Sequence, residues 1–100
     1  MMLKGSDRRA LRALGNGLKP VVYVGKGGIT PSLLLALDAA HASEELVKVR
    51  VLDTCPLDRK AAAAALEEAS DSLVVQVLGR TILLYRRDED DPRISLPSHG

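Results

Sequence analysis

Four consecutive residues, Gly25-Lys26-Gly27-Gly28, carry the clearest chemical signal in the chain. They stand between an apolar run, Val21-Val22-Tyr23-Val24, and a helix start, Ile29-Thr30-Pro31. Strand, glycine loop and helix in that order build an anion site. Glycine gives the backbone freedom and close approach, and the helix behind it offers N–H groups and a positive dipole end. Lys26 adds a full charge at the tip. Further basic residues surround the loop in sequence: Arg8 and Arg12, four apart on one helical face, Lys19 before the first strand, Lys48 and Arg50 on the second, and Arg80 in a turn. Each alone is as readily a solubilising charge. As a cluster they make a footprint for a polyanion.

The loop fails the nucleotide patterns letter by letter. A P-loop requires Gly, four residues, then Gly-Lys-Ser/Thr, whereas Lys26 is followed by Gly27; the dinucleotide fingerprint would need Gly or Ala where Thr30 stands. What fits is Gly-x-x-Gly, the clamp with which KH modules hold a short stretch of nucleic-acid backbone. The same four letters also suit an ordinary tight turn. The aromatic content narrows the kind of nucleic-acid contact. There is no Phe or Trp, and Tyr23 and Tyr85 both lie in apolar runs, where a core or rim position is the simplest assignment. Readers that stack bases need more aromatic surface, so contact with backbone, charge and shape is expected.

Catalytic and metal signals are sparse. His41 and His99 are far apart, with no nucleophile or paired acid at a known spacing, and Cys55 is single. No enzyme, metal or cofactor is implied. His41, late in a helix, reads as a dipole-compatible surface residue, and Cys55 as a partly buried thiol beside Pro56.

A chain of 100 residues suits one domain spanning 1–100. With 46% hydrophobic and 27% charged residues, it has the composition of a globular protein rather than a disordered one. No apolar run approaches the roughly 20 residues of a membrane helix, and Met1-Met2-Leu3-Lys4 does not open a secretory signal, so a cytoplasmic location is expected. The net charge of +1 hides an asymmetry: residues 1–37 hold six basic residues against one acid, and the remainder eight against twelve.

The elements that must position these residues follow from local signals. Ser6 is a candidate cap for a first helix to about Leu14, with Leu11 and Leu14 as its apolar edge and Gly15-Asn16-Gly17 as its stop. The run at 21–24 reads as a buried strand. Thr30 and Pro31 then open a second helix that ends near Ala42, with Leu33, Leu34, Leu37 and Ala40 on one face. In Leu46 to Leu52, Val47, Val49 and Val51 face one side while Lys48 and Arg50 share a wet, basic one. Asp58 opens an alanine-rich third helix that ends at Ser70-Asp71. Two β-rich runs, Leu73 to Leu78 and Thr81 to Tyr85, flank Gly79-Arg80, a hairpin signal that leaves Arg80 exposed. The fold class is therefore α/β, a small two-layer sandwich in the order α-β-α-β-α-β-β with a mixed four-stranded sheet. From about Arg87 an acidic tail, Asp88-Glu89-Asp90-Asp91, is expected to be mobile.

Read together, these blocks resemble the CRM-domain, YhbY-like RNA-binding family. Leu18-Lys19-Pro20-Val21-Val22 followed by Gly25-Lys26-Gly27-Gly28-Ile29-Thr30 is similar to its signature. Glu45 to Arg50 resembles its second strand, Val75 to Arg86 its final hairpin, and Ile94-Ser95-Leu96-Pro97 its closing segment. The resemblance covers nearly the whole chain in order. It implies a fold similar to the C-terminal domain of translation initiation factor three. It also implies a stand-alone bacterial protein associated with ribosomal RNA in precursors of the large ribosomal subunit; similar domains occur in plant organelle intron-splicing factors. Carried over by position, Gly25, Lys26, Gly27 and Gly28 form the RNA-contacting loop, and Arg8, Arg12, Lys19, Lys48, Arg50 and Arg80 extend that surface. The family pattern departs at Gly15-Asn16-Gly17, a looser junction, and at the acidic run, which would repel RNA near the loop and is expected to lie away from it. A monomer without cofactor, membrane or small-molecule substrate is expected. The alternative is a protein-interaction module docking on a ribosomal protein or assembly factor.

Overall fold

Two capped helices and a glycine turn set the frame. In the computed structural model, which describes residues 2–98, Thr30 caps α2 (Pro31–Ser43) by accepting the Leu33 N–H at 3.1 Å. Asp58 caps α3 (Arg59–Ala69) by accepting the Ala61 N–H at 2.7 Å. Each cap satisfies an amide that a helix start leaves unpaired. Four strands, β1 (Val22–Val24), β2 (Leu46–Val51), β3 (Leu73–Leu78) and β4 (Thr81–Tyr85), lie in the order β1-β2-β4-β3. β1 runs parallel to β2, and both other pairings are antiparallel. Gly79, with φ of +58°, turns β3 into β4. The expected order and mixed sheet are both present.

Alternation along the strands divides the core in two. Val22, Val24, Val47, Val49, Val51, Ile82 and Leu84 pack under α2 and α3. On the other face, Leu46, Val75, Leu83 and Tyr85 meet Leu11 of the first helix, together with Leu3 and Leu96. The side of β2 assigned to water is thus dry at Leu46 and open at Arg50. Helix α1 (Gly5–Gly15) covers only part of that face.

The buried positions of α1 are Asp7, Leu11 and Gly15, an i, i+4, i+8 series. Leu14, expected on the apolar edge, is 52% exposed because that series passes it by. Gly15 lies so close to Leu83 that any side chain would collide there. The cap expected at Ser6 falls instead on Lys4, whose backbone N–H donates to Asp7 Oδ2 at 3.0 Å.

The C-terminal segment is folded onto the domain. Glu45, 2% exposed, accepts the backbone N–H groups of Asp88, Arg93 and Ile94 at 2.7–2.8 Å. Asp7 accepts both the N–H and the hydroxyl of Ser98, and Leu96 is buried. Two carboxylates distant in sequence gather amides that would otherwise need water. The acidic run sits at the Leu46 end of β2, and the glycine loop at the Val51 end.

His41 also departs from the surface position expected of it. It continues the Leu33, Leu37 series at i+4 and is buried with them. Its Nδ1 lies 3.1 Å from the Glu44 carbonyl, which can only accept, so Nδ1 carries the proton and Nε2 accepts from the Ser72 hydroxyl at 2.8 Å. Burial lowers its pKa from the usual 6.5. Tyr85 is a core residue whose pKa is raised by burial and then by the Glu45 charge. Cys55 is half-buried and free, as expected. His99 lies outside the described residues.

Candidate nucleic-acid interface

The glycine loop is a closed turn at the end of β1. The Gly28 N–H donates to the Gly25 carbonyl at 3.0 Å, and Gly28 has φ of +67°, a conformation that costs any other residue energy. Lys26 sits at the exposed tip. A Cβ at Gly25 would reach Leu52 and Thr54, and one at Gly28 would reach Pro56, so the segment following β2 backs the loop. Helix α2 begins directly behind it and turns its positive dipole end that way. Its first turn offers fewer amide donors than expected, because Pro31 has none and Thr30 engages that of Leu33.

A groove of about 400 Å³ runs from the loop along the free edge of β1, lined by Tyr23, Gly25, Gly27, Gly28, Thr30 and Ser32 among others. Beyond the loop, the Val51 end of the sheet carries a second hollow of about 640 Å³, where Arg80 pairs with Asp53 at 2.5 Å and Arg59 Nη1 donates to the Gly79 carbonyl at 3.2 Å.

The basic residues are only partly gathered. Lys48 and Arg50 project from β2 on the face that α1 leaves open, Lys48 half-buried and Arg50 exposed. Lys19 is exposed on the link from α1 to β1, which is pinned where the Val21 N–H donates to the Lys48 carbonyl at 3.0 Å. Arg12 lies one turn beyond Arg8 on the flank of α1. Arg8 is separate in role: its guanidinium donates to the Val74 carbonyl at 2.7 Å and ties α1 to the β3 edge, across the sheet from the loop. Arg80 is exposed at the hairpin, as expected, yet its charge is shared with Asp53.

One residue gains importance beyond its reading as core or rim. Val22 and Val24 are buried under α2, so Tyr23 between them points to the opposite face and is 52% exposed. In the parallel register it stands directly beside Arg50, and Arg50 is paired on its other side with Thr81. Period-two alternation carries that signal in the sequence; the three-residue length of β1 and its apolar neighbours hide it. Nothing in the sequence local to Arg59 indicates that α3 begins beside the hairpin turn, where its guanidinium meets the Gly79 carbonyl.

The model of the CRS1/YhbY (CRM) domain matches residues 3–86. The chain belongs to that family. Among relatives of this CRM domain, the probable RNA-binding protein YqeI of Bacillus subtilis is 38% identical over 96 residues, covering 96% of this chain and all of the relative. The probable RNA-binding protein MJ0652 of Methanocaldococcus jannaschii is 37% identical, across 87% of this chain and 66% of its own length. The solution structure of the protein SAV1595 from Staphylococcus aureus superposes on the CRM domain with a TM-score of 0.81 and 38% identity, covering 96% of this chain and all of that one. Among the described residues no group of His, Cys, Asp or Glu is placed to hold a metal ion, and no helix is long and apolar enough to cross a membrane.

Proposed function

We propose that this CRM domain is an RNA-binding protein that grips ribosomal RNA backbone in precursors of the large ribosomal subunit and assists their assembly. The observation that carries the reading is the closed Gly25–Gly28 turn with exposed Lys26 at the end of β1, beside the open basic face of β2. The loop provides close approach, the α2 dipole and Lys26 favour phosphate, and Lys19, Lys48, Arg50 and Arg12 extend the positive surface. Arg80 contributes once its pair with Asp53 opens, and such an exposed pair is weak. Arg8 contributes mainly by fixing α1. Relatives are named as probable RNA-binding proteins, and the ribosomal setting is what the resemblance to stand-alone bacterial members implies. The domain acts as a monomer in the cytoplasm, as a binder rather than an enzyme. Crosslinking in cells tests this directly: contacts should map to large-subunit precursor RNA through the loop, and a map confined to other RNAs would refute the assignment.

A second reading rests on the β1 edge, where Leu18 and Val21 are exposed beside an apolar hollow of about 200 Å³ also lined by Ala40, Leu46 and Val47. An edge strand of this kind can dock a ribosomal protein or assembly factor. Ribonuclease treatment separates the two readings. Association with ribosomal particles is lost on complete digestion of accessible RNA if the RNA holds the domain, and survives if a protein does.

A further inference from the structure

We infer that Tyr23 is a stacking platform for one unpaired nucleobase, adjoining the backbone-gripping loop. This rests on the RNA-binding reading and adds to it a preference for RNA that has an unpaired base at the bound site. The chain holds two aromatic rings outside histidine, and one of them, Tyr85, is buried in the core. The other is half open to water. Its hydroxyl donates a long hydrogen bond to the Pro20 carbonyl at 3.3 Å, which leans the ring back along β1.

Three neighbours give the ring a context that an incidental surface tyrosine lacks. Arg50 lies beside it in register on the adjoining strand, about 4.8 Å away by the usual strand spacing, and is exposed. Lys48 lies two residues back on the same face of β2. On the other side, the glycine loop opens at Gly25, two residues beyond Tyr23, and the groove between the β1 edge and α2 borders the strand from which the ring projects on the opposite face. A strand whose phosphate sits on the loop therefore reaches the ring with an adjacent base, while Arg50 meets the next phosphate or covers the base edge. Stacking tolerates any base, because every base presents a π-face. A continuous duplex cannot use this site, since its bases are already stacked.

The test uses the full chain and two labelled probes followed by fluorescence anisotropy: a ten-nucleotide single-stranded oligoadenylate and a blunt RNA duplex. Tyr23→Leu should weaken oligoadenylate binding roughly tenfold, and Tyr23→Phe should bind like the parent, because the ring and not the hydroxyl carries the contact. Duplex affinity should be unchanged in both variants. Proton NMR gives an independent reading: with no Phe or Trp present, the Tyr23 ring resonances are readily resolved and should move upfield on adding oligoadenylate. If the duplex binds while Tyr23→Leu leaves oligoadenylate affinity unaltered and the ring resonances stay in place, stacking is overturned and RNA binding stands. If neither probe binds the parent chain, the RNA-binding reading falls and the platform with it.

Discussion

Gly15 at the end of α1 and Leu83 on β4 are in such close contact that a Cβ on Gly15 would stand 2.6 Å from Leu83 Cδ2. That contact lets α1 lie down on the sheet and sets where Arg12 and the Lys19 link emerge. A side chain at this position must push Leu83 or lift the helix. Gly15→Ala gains helix propensity worth about 1 kcal/mol but suffers the clash, for a net loss of roughly 1 kcal/mol; Gly15→Val, with no comparable gain, loses about 3 kcal/mol. Urea denaturation of the two variants checks both the direction and the order.

Acid should loosen the fold through His41. Burial holds its folded pKa below the ordinary 6.5, so between the two values the unfolded chain binds the proton and the folded one does not. The contribution of His41 is complete above about pH 6.5 and is lost as pH falls toward the lower folded value. Urea midpoints measured at pH 7.5 and 5.5 should differ, and His41→Gln should shrink that difference.

Removing the Glu45 carboxylate should release the C-terminal segment. Glu45→Ala orphans the amides of Asp88, Arg93 and Ile94 and costs about 2 kcal/mol, much of it recovered when the segment detaches into water. Limited trypsin digestion should then cut faster after Arg87 and Arg93 than in the parent, with the remaining domain resistant.

Much of the fold is legible because its signals are local. Thr30 with Pro31, Asp58, the alternation through Val47, Val49 and Val51, and Gly79-Arg80 each fix an element from residues within a few positions. What escapes depends on distant partners. Glu45 and Asp7 look like ordinary acids until residues 88–98 come back to them, and Gly15 looks like a simple stop until Leu83 is placed under it. The glycine loop was legible as a turn with a charged tip. Its surroundings were not: Arg8 is diverted to Val74 and Arg80 to Asp53, while Tyr23 turns outward beside Arg50. His41 had a visible signal, the i+4 step from Leu33 and Leu37, which its position near the helix end obscured.

The turn conformation itself is open to test. Gly28→Ala places a Cβ on a backbone with φ of +67°, at a cost of about 1 kcal/mol, and the chain can escape only by reshaping the loop. RNA affinity should fall several-fold while the melting temperature shifts by a few degrees. Gly17→Ala, where no atom stands within 4 Å of the added Cβ, serves as the control and should leave binding intact.

The most direct test of the central claim is the salt dependence of RNA affinity in the parent and in the double variant Lys26→Ala, Arg12→Ala. Phosphate contacts release counterions, so log affinity falls linearly with log salt, and each lost contact flattens the line by roughly 0.7 to 0.9. The double variant should bind more weakly, with a slope shallower by about 1.5 and an unchanged melting temperature. An unchanged affinity and slope would remove the loop and its flanking basic face from the RNA-binding surface.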